Sequence, residues 1–413
     1  MATTKGVVII GGGECGVRAA TALRSARFVG PMTIVCAEAL LPYERPPLSK
    51  EAMCAVGEPT PRSVANDEVL AAAEIDIRLG CAASMIDTTG HSVLLADGSE
   101  LGYDKLLIAT GAEPRFMALA DPRRARIAYL RTFADALKIR RALAPGHHIV
   151  IVGGGFIGLE VAACAVGRGC DVTVIEALPR LLSRVVPAEI AGVVEARHRS
   201  EGVKVRCETE VVHIDHRDRA IVVTTGDGSS LSADFLVVGI GATPSTELAK
   251  RAGLEVANGI VVDEHLRASA PDVFAAGDCC SFPLPIYGGR RVRLESWRNA
   301  LDQGALAGRN MAGANERLTS VPWFWSDQYD LTLQISGLVD EGVEIVRRQV
   351  AEDAFVLFHL AADGRLVAAS GIGVGNTVAR DIRLAEMLIV KRARPEPAAL
   401  SSPATKLRAL LAA

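Results

Sequence analysis

Two glycine clusters in this chain have the spacing needed to hold a pyrophosphate. Residues 7–16 read VVIIGGGECG and place Gly11, Gly13 and Gly16 in the pattern G-x-G-x-x-G, and Gly153, Gly155 and Gly158 repeat it. In such a turn the first glycine lets a strand reverse tightly into a helix, the second lets the backbone approach the phosphates, and the third lets helix and strand pack closely. The anion meets the free N–H groups and the positive dipole end of the helix. Each cluster precedes a second apolar strand that ends near an acid: residues 33–36 before Glu38, and residues 171–175 before Glu176. A carboxylate there accepts hydrogen bonds from an adenosine ribose. Two fingerprints imply two dinucleotides.

The surrounding elements repeat in register. Asp97-Gly98 is matched by Asp227-Gly228, and ATGAEP at 109–114 by GIGATP at 239–244. A unit of about 130 to 140 residues is therefore present twice. The fold class follows as α/β: two Rossmann-like dinucleotide-binding domains, plus a small C-terminal α+β domain.

In chain order, the loop LLPYERPPLSK ends at Lys50, and Pro46 and Pro47 are expected to hold its backbone extended. A strand at 75–79, a hairpin around Asp97-Gly98 and a buried strand at 105–110 complete the first unit except for one strand. Residues 127–143 read as a connecting helix with Arg131 near its start. Glu160 is expected on the first turn of the helix that follows the second glycine cluster, where an acid is electrostatically comfortable. The missing strand comes late, in APDVFAAGD ending at Asp278.

Residues 296–311 read as a helix with Leu301, Ala305 and Gly308 on one face and Asp302, Arg309 and Asn310 at polar positions. Beyond residue 319 the texture changes, and VPWFWSDQYD holds two of the three tryptophans, at a ligand contact or a domain seam. Apolar runs at 331–335, 344–350, 354–360 and 366–372 suggest an antiparallel sheet, followed by a helix at 377–390.

Composition narrows the function classes. A net charge of −3 gives no general reason to expect nucleic acid or an anionic membrane as partner. The start MATTKGVVII lacks the features of a signal peptide, and no run reaches the roughly 18 apolar residues of a membrane span, so a cytoplasmic location is expected. Nine cysteines at scattered spacings, with no C-x-x-C, suggest no disulfide framework, and each reads as a small buried apolar residue. The adjacent Cys279 and Cys280 leave a redox role open. His213 and His216 point to opposite faces of a strand, so no metal site is expected.

The motifs VVIIGGGECG, PYERPPLSK, LLIATGAEPR, IVIVGGGFIGLEVAA, VFAAGD, RLESWRNALDQG and PWFWSDQYDL occur in that order. From end to end the chain resembles the FAD-dependent NADH:ferredoxin reductases of bacterial oxygenase systems. The resemblance implies FAD at Gly11, Gly13, Cys15, Gly16, Glu38, Arg45, Lys50, Ala82, Thr110, Arg131, Asp278 and Trp297. It implies the nicotinamide nucleotide at Gly153, Gly155, Phe156, Ile157, Gly158, Glu160, Glu176, Arg184, Gly241 and Glu295. In similar enzymes a lysine and a glutamate pair beside the flavin, which makes Lys50 and Glu160 the catalytic candidates. The implied domains are FAD-binding at 1–113 and 242–318, NADH-binding at 114–241, and C-terminal at 319–413.

Glu176 welcomes a ribose 2′-hydroxyl and repels a 2′-phosphate, so NADH is expected over NADPH. The implied partner is a [2Fe–2S] ferredoxin serving a Rieske oxygenase or a cytochrome P450, met by a monomer or homodimer. Docking candidates are Arg290, Arg291, Arg293 and Arg298, or Arg380, Arg383, Lys391 and Arg392. Two rivals remain. Disulfide reductases of similar architecture resemble one another in carrying C-x-x-x-x-C or a single flavin-facing cysteine on the helix after the first ribose acid, where only Cys54 is present, beyond Lys50. A scaffold resembling apoptosis-inducing factor shares a PPLSK-like loop but carries a long insertion in its third domain that this chain lacks.

Overall fold

The computed structural model describes residues 5–412 except 56 and 219. The chain forms two compact units, one of residues up to 45, 61–113 and 243–320, the other of residues 46–60, 114–242 and from 321 onward.

The first unit is built on a parallel five-stranded sheet in the order Val273–Ala275, Lys105–Ile108, Val7–Ile10, Met32–Val35, Asp76–Arg78. Every residue of Val7–Ile10 is buried, as an uninterrupted apolar run in a parallel sheet requires. Val273–Ala275 supplies the strand that the first repeat lacks. The helix Glu14–Ser25 packs against the helix Trp297–Met311. Small residues set this contact: a Cβ on Gly304 would lie 2.3 Å from the Cys15 carbonyl oxygen, and one on Gly308 2.3 Å from that of Ala19. The buried face of the Trp297 helix therefore runs through Gln303, Gly304, Ala307, Gly308 and Met311, not through Leu301 and Ala305 as expected. Asn310 is also buried, because its amide bonds the carbonyls of His265 and Glu316, each at 2.9 Å.

The second unit repeats the sheet in the order Lys204–Arg206, Asp171–Ile175, His148–Val152, Phe235–Val238, Ile127–Ala128, again all parallel. Its fifth strand corrects the expected helix over 127–143. Ile127 and Ala128 are a buried edge strand, and the helix begins only at Phe133. The reason is local: Thr132 and Asp135 form a capping box that fixes the helix start, leaving Arg131 outside it. In both units the fifth strand comes from outside the glycine repeat itself, from further along the chain in the first and from before the repeat in the second.

Pro46–Ser49 form a 3₁₀ turn rather than the expected extended segment, leading into the short helix Glu51–Cys54. Proline suits a first turn, whose N–H groups have no partner to lose. Residues from 321 form an antiparallel sheet ordered Trp323–Gln328, Leu331–Gly337, Leu366–Val374, Ala354–Leu360, Glu344–Ala351, beside which the helix Ala379–Val390 packs. The tryptophan-rich segment is its edge strand.

Candidate active site: two nucleotide cradles and a lysine–glutamate pair

The two glycine turns assign one role to each glycine. Gly11 has φ +119° and Gly153 φ +110°, and a Cβ on them would lie 2.1 Å and 2.3 Å from the carbonyl oxygens of Ala109 and Gly239. The third glycines are equally confined: a Cβ on Gly16 would lie 2.0 Å from the Gly11 oxygen, and one on Gly158 2.2 Å from the Gly153 oxygen. The middle glycines differ, since a Cβ on Gly13 or Gly155 would meet nothing within 4 Å. Both are helix N-caps with no side chain bonded to the first-turn N–H groups. Open space over uncapped donors at a dipole's positive end is what a pyrophosphate needs, so both cradles fit a dinucleotide.

In the first unit the ribose acid is already part of a cluster. Glu38 accepts hydrogen bonds from Arg45 and from the Tyr43 hydroxyl, and the Arg45 guanidinium lies 4.5 Å from the centre of the Tyr43 ring. Asp278 is half-buried just beyond Val273–Ala275, in a turn whose Gly277 N–H donates to Gln303 Oε1 at 2.8 Å. Thr110 Oγ1 donates to the Ser245 carbonyl at 2.7 Å, and the exposed Ala82 accepts from the Ala96 N–H at 2.8 Å. Trp297 opens its helix, which Ser296 caps. Glu295 also belongs to this unit and pairs with Arg293, whereas Lys50 and Arg131 belong to the second.

In the second unit Glu176 accepts from the N–H groups of Gly154 at 2.7 Å and Leu178 at 2.8 Å. Its carboxylate is thereby anchored to the glycine turn. Arg184 is exposed, and its Nη1 would lie 3.6 Å from a Cβ on Gly241, so these two expected nucleotide contacts are neighbours. Phe156 lies against Phe324, with ring centres 4.3 Å apart, and Ile157 is exposed.

Lys50 and Glu160 meet within the second unit. Lys50 Nζ lies 2.9 Å from Glu160 Oε1. Glu160 is buried on the second turn of the helix Phe156–Gly167, not on its first turn as expected, and 6 % of its side chain is accessible. A buried carboxylate must be satisfied, and two hydroxyls complete the shell. Ser326 Oγ donates to Oε1 at 2.6 Å and Ser49 Oγ donates to Oε2. Sequence reasoning missed both serines, although each lies inside a singled-out motif, PPLSK or PWFWSDQYDL.

The cysteines divide into two kinds. Burial, reinforced by the negative charges of Asp278 and Glu14, pushes the Cys15 thiol well above its ordinary range. Burial likewise raises Cys279 and Cys280, so these thiols stay protonated, which agrees with a packing role. Cys54 and Cys164 depart from that expectation: they are joined by a disulfide, with Cα atoms 5.8 Å apart. Their separation of 110 residues hid the pairing from the sequence. Among the described residues no group of three or more His, Cys, Asp or Glu side chains is placed to hold a metal, and no helix is long and apolar enough to cross a membrane.

The chain matches the family model of the pyridine nucleotide-disulphide oxidoreductases over residues 5–304 and that of the reductase C-terminal domain over residues 323–411. It is 40 % identical to the ferredoxin–NAD(+) reductase component of the anthranilate 1,2-dioxygenase system of Burkholderia cepacia over 409 residues, 98 % of each chain. It is 36 % identical to putidaredoxin reductase of Pseudomonas putida, covering 98 % of this chain and 97 % of that one. The solved covalent putidaredoxin reductase–putidaredoxin complex superposes with a TM-score of 0.93 at 34 % identity, covering 98 % of both chains. The chain belongs to the pyridine nucleotide-disulphide oxidoreductase family, among its ferredoxin reductases. It is an oxidoreductase of a family that uses FAD and NAD(P).

Proposed function

We propose that this protein oxidises NADH and hands the electrons singly to a [2Fe–2S] ferredoxin serving a Rieske oxygenase or a cytochrome P450. The first unit is assigned FAD and the second the nicotinamide nucleotide. The observation that carries this reading is the duplicated cradle, in which an open middle glycine stands over uncapped helix donors twice in one chain. Bound FAD supplies the conversion from a two-electron donor to a one-electron acceptor.

Gly13 and Gly155 admit the pyrophosphates, and Glu38 and Glu176 accept from ribose hydroxyls. Lys50 is assigned to present a fixed ammonium toward flavin when it is bound, an electrostatic role in hydride chemistry. Glu160 holds that ammonium, and Ser49 and Ser326 lock the carboxylate's orientation. No side chain is assigned a proton transfer. The anchored carboxylate of Glu176 supports NADH over NADPH, because a 2′-phosphate beside it would be repelled.

An acidic ferredoxin needs local positive charge. Arg293, Arg298 and Arg383 have acidic neighbours in Glu295, Asp302 and Glu386, which directs docking toward Arg380 and Arg392 on the Ala379–Val390 helix and its end. The protein is assigned to the cytoplasm, as monomer or homodimer. One observation favours a second reading, a disulfide reductase, namely the Cys54–Cys164 bridge. Thiol titration after anaerobic NADH addition separates the two, since a disulfide reductase gains two thiols. The ferredoxin-reductase reading is tested by the absorption spectrum of the purified protein. A flavin spectrum bleached by NADH and restored by ferredoxin supports it, and a colourless protein that takes up no FAD refutes it.

A further inference from the structure

The disulfide and the ion pair tie the same two segments together, one turn apart. Cys54 lies four residues beyond Lys50, and Cys164 four residues beyond Glu160. The bridge thus fastens the helix Glu51–Cys54 to the helix Phe156–Gly167 one turn above the point where Lys50 grips Glu160. The two sulfurs are unequally placed: Cys54 is exposed and Cys164 is buried. An external thiol therefore meets Cys54 first.

The dithiol state is provided for as well. Cys164 Sγ lies 3.4 Å from the Ser49 carbonyl oxygen and 3.7 Å from that of Lys50, so its thiol hydrogen has acceptors once the bridge opens. Arg140 holds the short helix independently, donating to the carbonyls of Met53 at 2.8 Å and Ala55 at 2.9 Å. Opening the bridge removes a tether without unfolding the segment.

We propose that Cys54 and Cys164 are a reversible thiol–disulfide modification site that sets how firmly the Lys50 loop is clamped, and through it the rate of NADH oxidation. In the closing direction the Cys54 thiol attacks the O–O bond of a hydroperoxide, giving the Cys54 sulfenic acid and an alcohol, or water from hydrogen peroxide. The Cys164 thiol then displaces water from that sulfenic acid and forms the S–S bond. The two cysteines lose two electrons and two protons, and the peroxide is reduced by two electrons. In the opening direction a small thiol of the glutathione type attacks Cys54 and releases Cys164 as a thiol. A second equivalent resolves the mixed disulfide, freeing the small-molecule disulfide. The oxidised form is the fully clamped, faster enzyme. The rate effect rests on the role proposed for the Lys50–Glu160 pair, whereas the thiol chemistry does not.

The test uses the flavin-loaded full chain equilibrated with reduced glutathione or with hydrogen peroxide, then alkylated and peptide-mapped while NADH turnover is read with ferricyanide. Glutathione is expected to make Cys54 and Cys164 alkylatable together and to lower kcat/KM for NADH about fivefold, a loss of positioning. Peroxide is expected to reverse both changes. The exposed-site variant Cys54→Ser is expected to stay at the lower value whatever the redox buffer. The proposal is overturned if the two cysteines never interconvert, if they interconvert with no change in kcat/KM, or if NADH alone frees both thiols under anaerobic conditions. Interconversion in a protein that oxidises no NADH upholds the thiol site and refutes the function read from the ion pair.

Discussion

Replacing Lys50 with methionine removes one charge from a site whose geometry sets the cost. Methionine preserves most of the stem's volume but leaves Glu160, only 6 % accessible, with Ser49 and Ser326 as its remaining donors. A hydrogen bond to a charged group contributes about 1.5 to 3 kcal/mol, and breaking a fully buried ion pair costs about 3 to 5 kcal/mol. The lysine is a quarter accessible and two hydroxyls remain on the carboxylate, so the loss in folding stability is expected near the lower figure, about 2 kcal/mol. The kinetic loss is separate. An ammonium facing charge that develops during hydride transfer is worth about 2 kcal/mol in a partly dry site, which is about thirty-fold in rate. Anaerobic stopped-flow reduction of the bound flavin by NADH reads that rate, and chemical unfolding reads the stability. Lys50→Arg should recover most of the stability and part of the rate, because it keeps the charge but changes its geometry. A Lys50→Met flavin-reduction rate within twofold of the parent, alongside the stability loss, would show that the pair only holds the fold and would refute its role in hydride transfer.

Gly13→Val should fold normally, since a Cβ there meets nothing within 4 Å, yet purify without flavin because the side chain occupies the pyrophosphate's space; retained colour contradicts the cradle. Gly304→Leu should do the reverse, losing several kcal/mol as its side chain meets the Cys15 backbone at 2.3 Å, seen as a fall in Tm of the flavin-free protein. Glu176→Ala should reduce kcat/KM for NADH about tenfold and narrow the gap to NADPH, whereas an unchanged cofactor ratio excludes the acid from that choice. Acid should weaken the second unit, because burial holds His359 down to about 4 from its ordinary 6.5. Its contribution is whole above pH 6.5 and disappears as pH falls through 6.5 toward 4, about 2 kcal/mol being gone by pH 5. His359→Gln should flatten that slope in urea unfolding at pH 7.5 and 5, and a parent protein equally stable at both contradicts it.

Much of this was legible in the sequence because the decisive constraints are local. A glycine whose Cβ would strike the carbonyl one residue past the neighbouring strand leaves a fixed spacing in the chain, and both clusters carry it. The late strand Val273–Ala275 was legible too, since the first repeat lacked a fifth strand and one apolar run was left over. Its counterpart Ile127–Ala128 was not, because two residues beside a helix show no period and only the Thr132–Asp135 cap separates them from that helix. The Trp297 helix misled for a related reason. Hydrophobicity pointed to Leu301, whereas packing needed the absence of side chains at Gly304 and Gly308. Ser49, Ser326 and the Cys54–Cys164 bridge depend on segments far apart in sequence, where nothing local signals the pairing.

The most direct measurement is anaerobic titration of the purified yellow protein with NADH, followed by mixing with a [2Fe–2S] ferredoxin and thiol counting at each stage. The structure predicts a flavin band that bleaches with about one equivalent of NADH, no new thiols, and recovery of the band as the ferredoxin is reduced. Two new thiols per chain after NADH, or a band that ferredoxin does not restore, would contradict it.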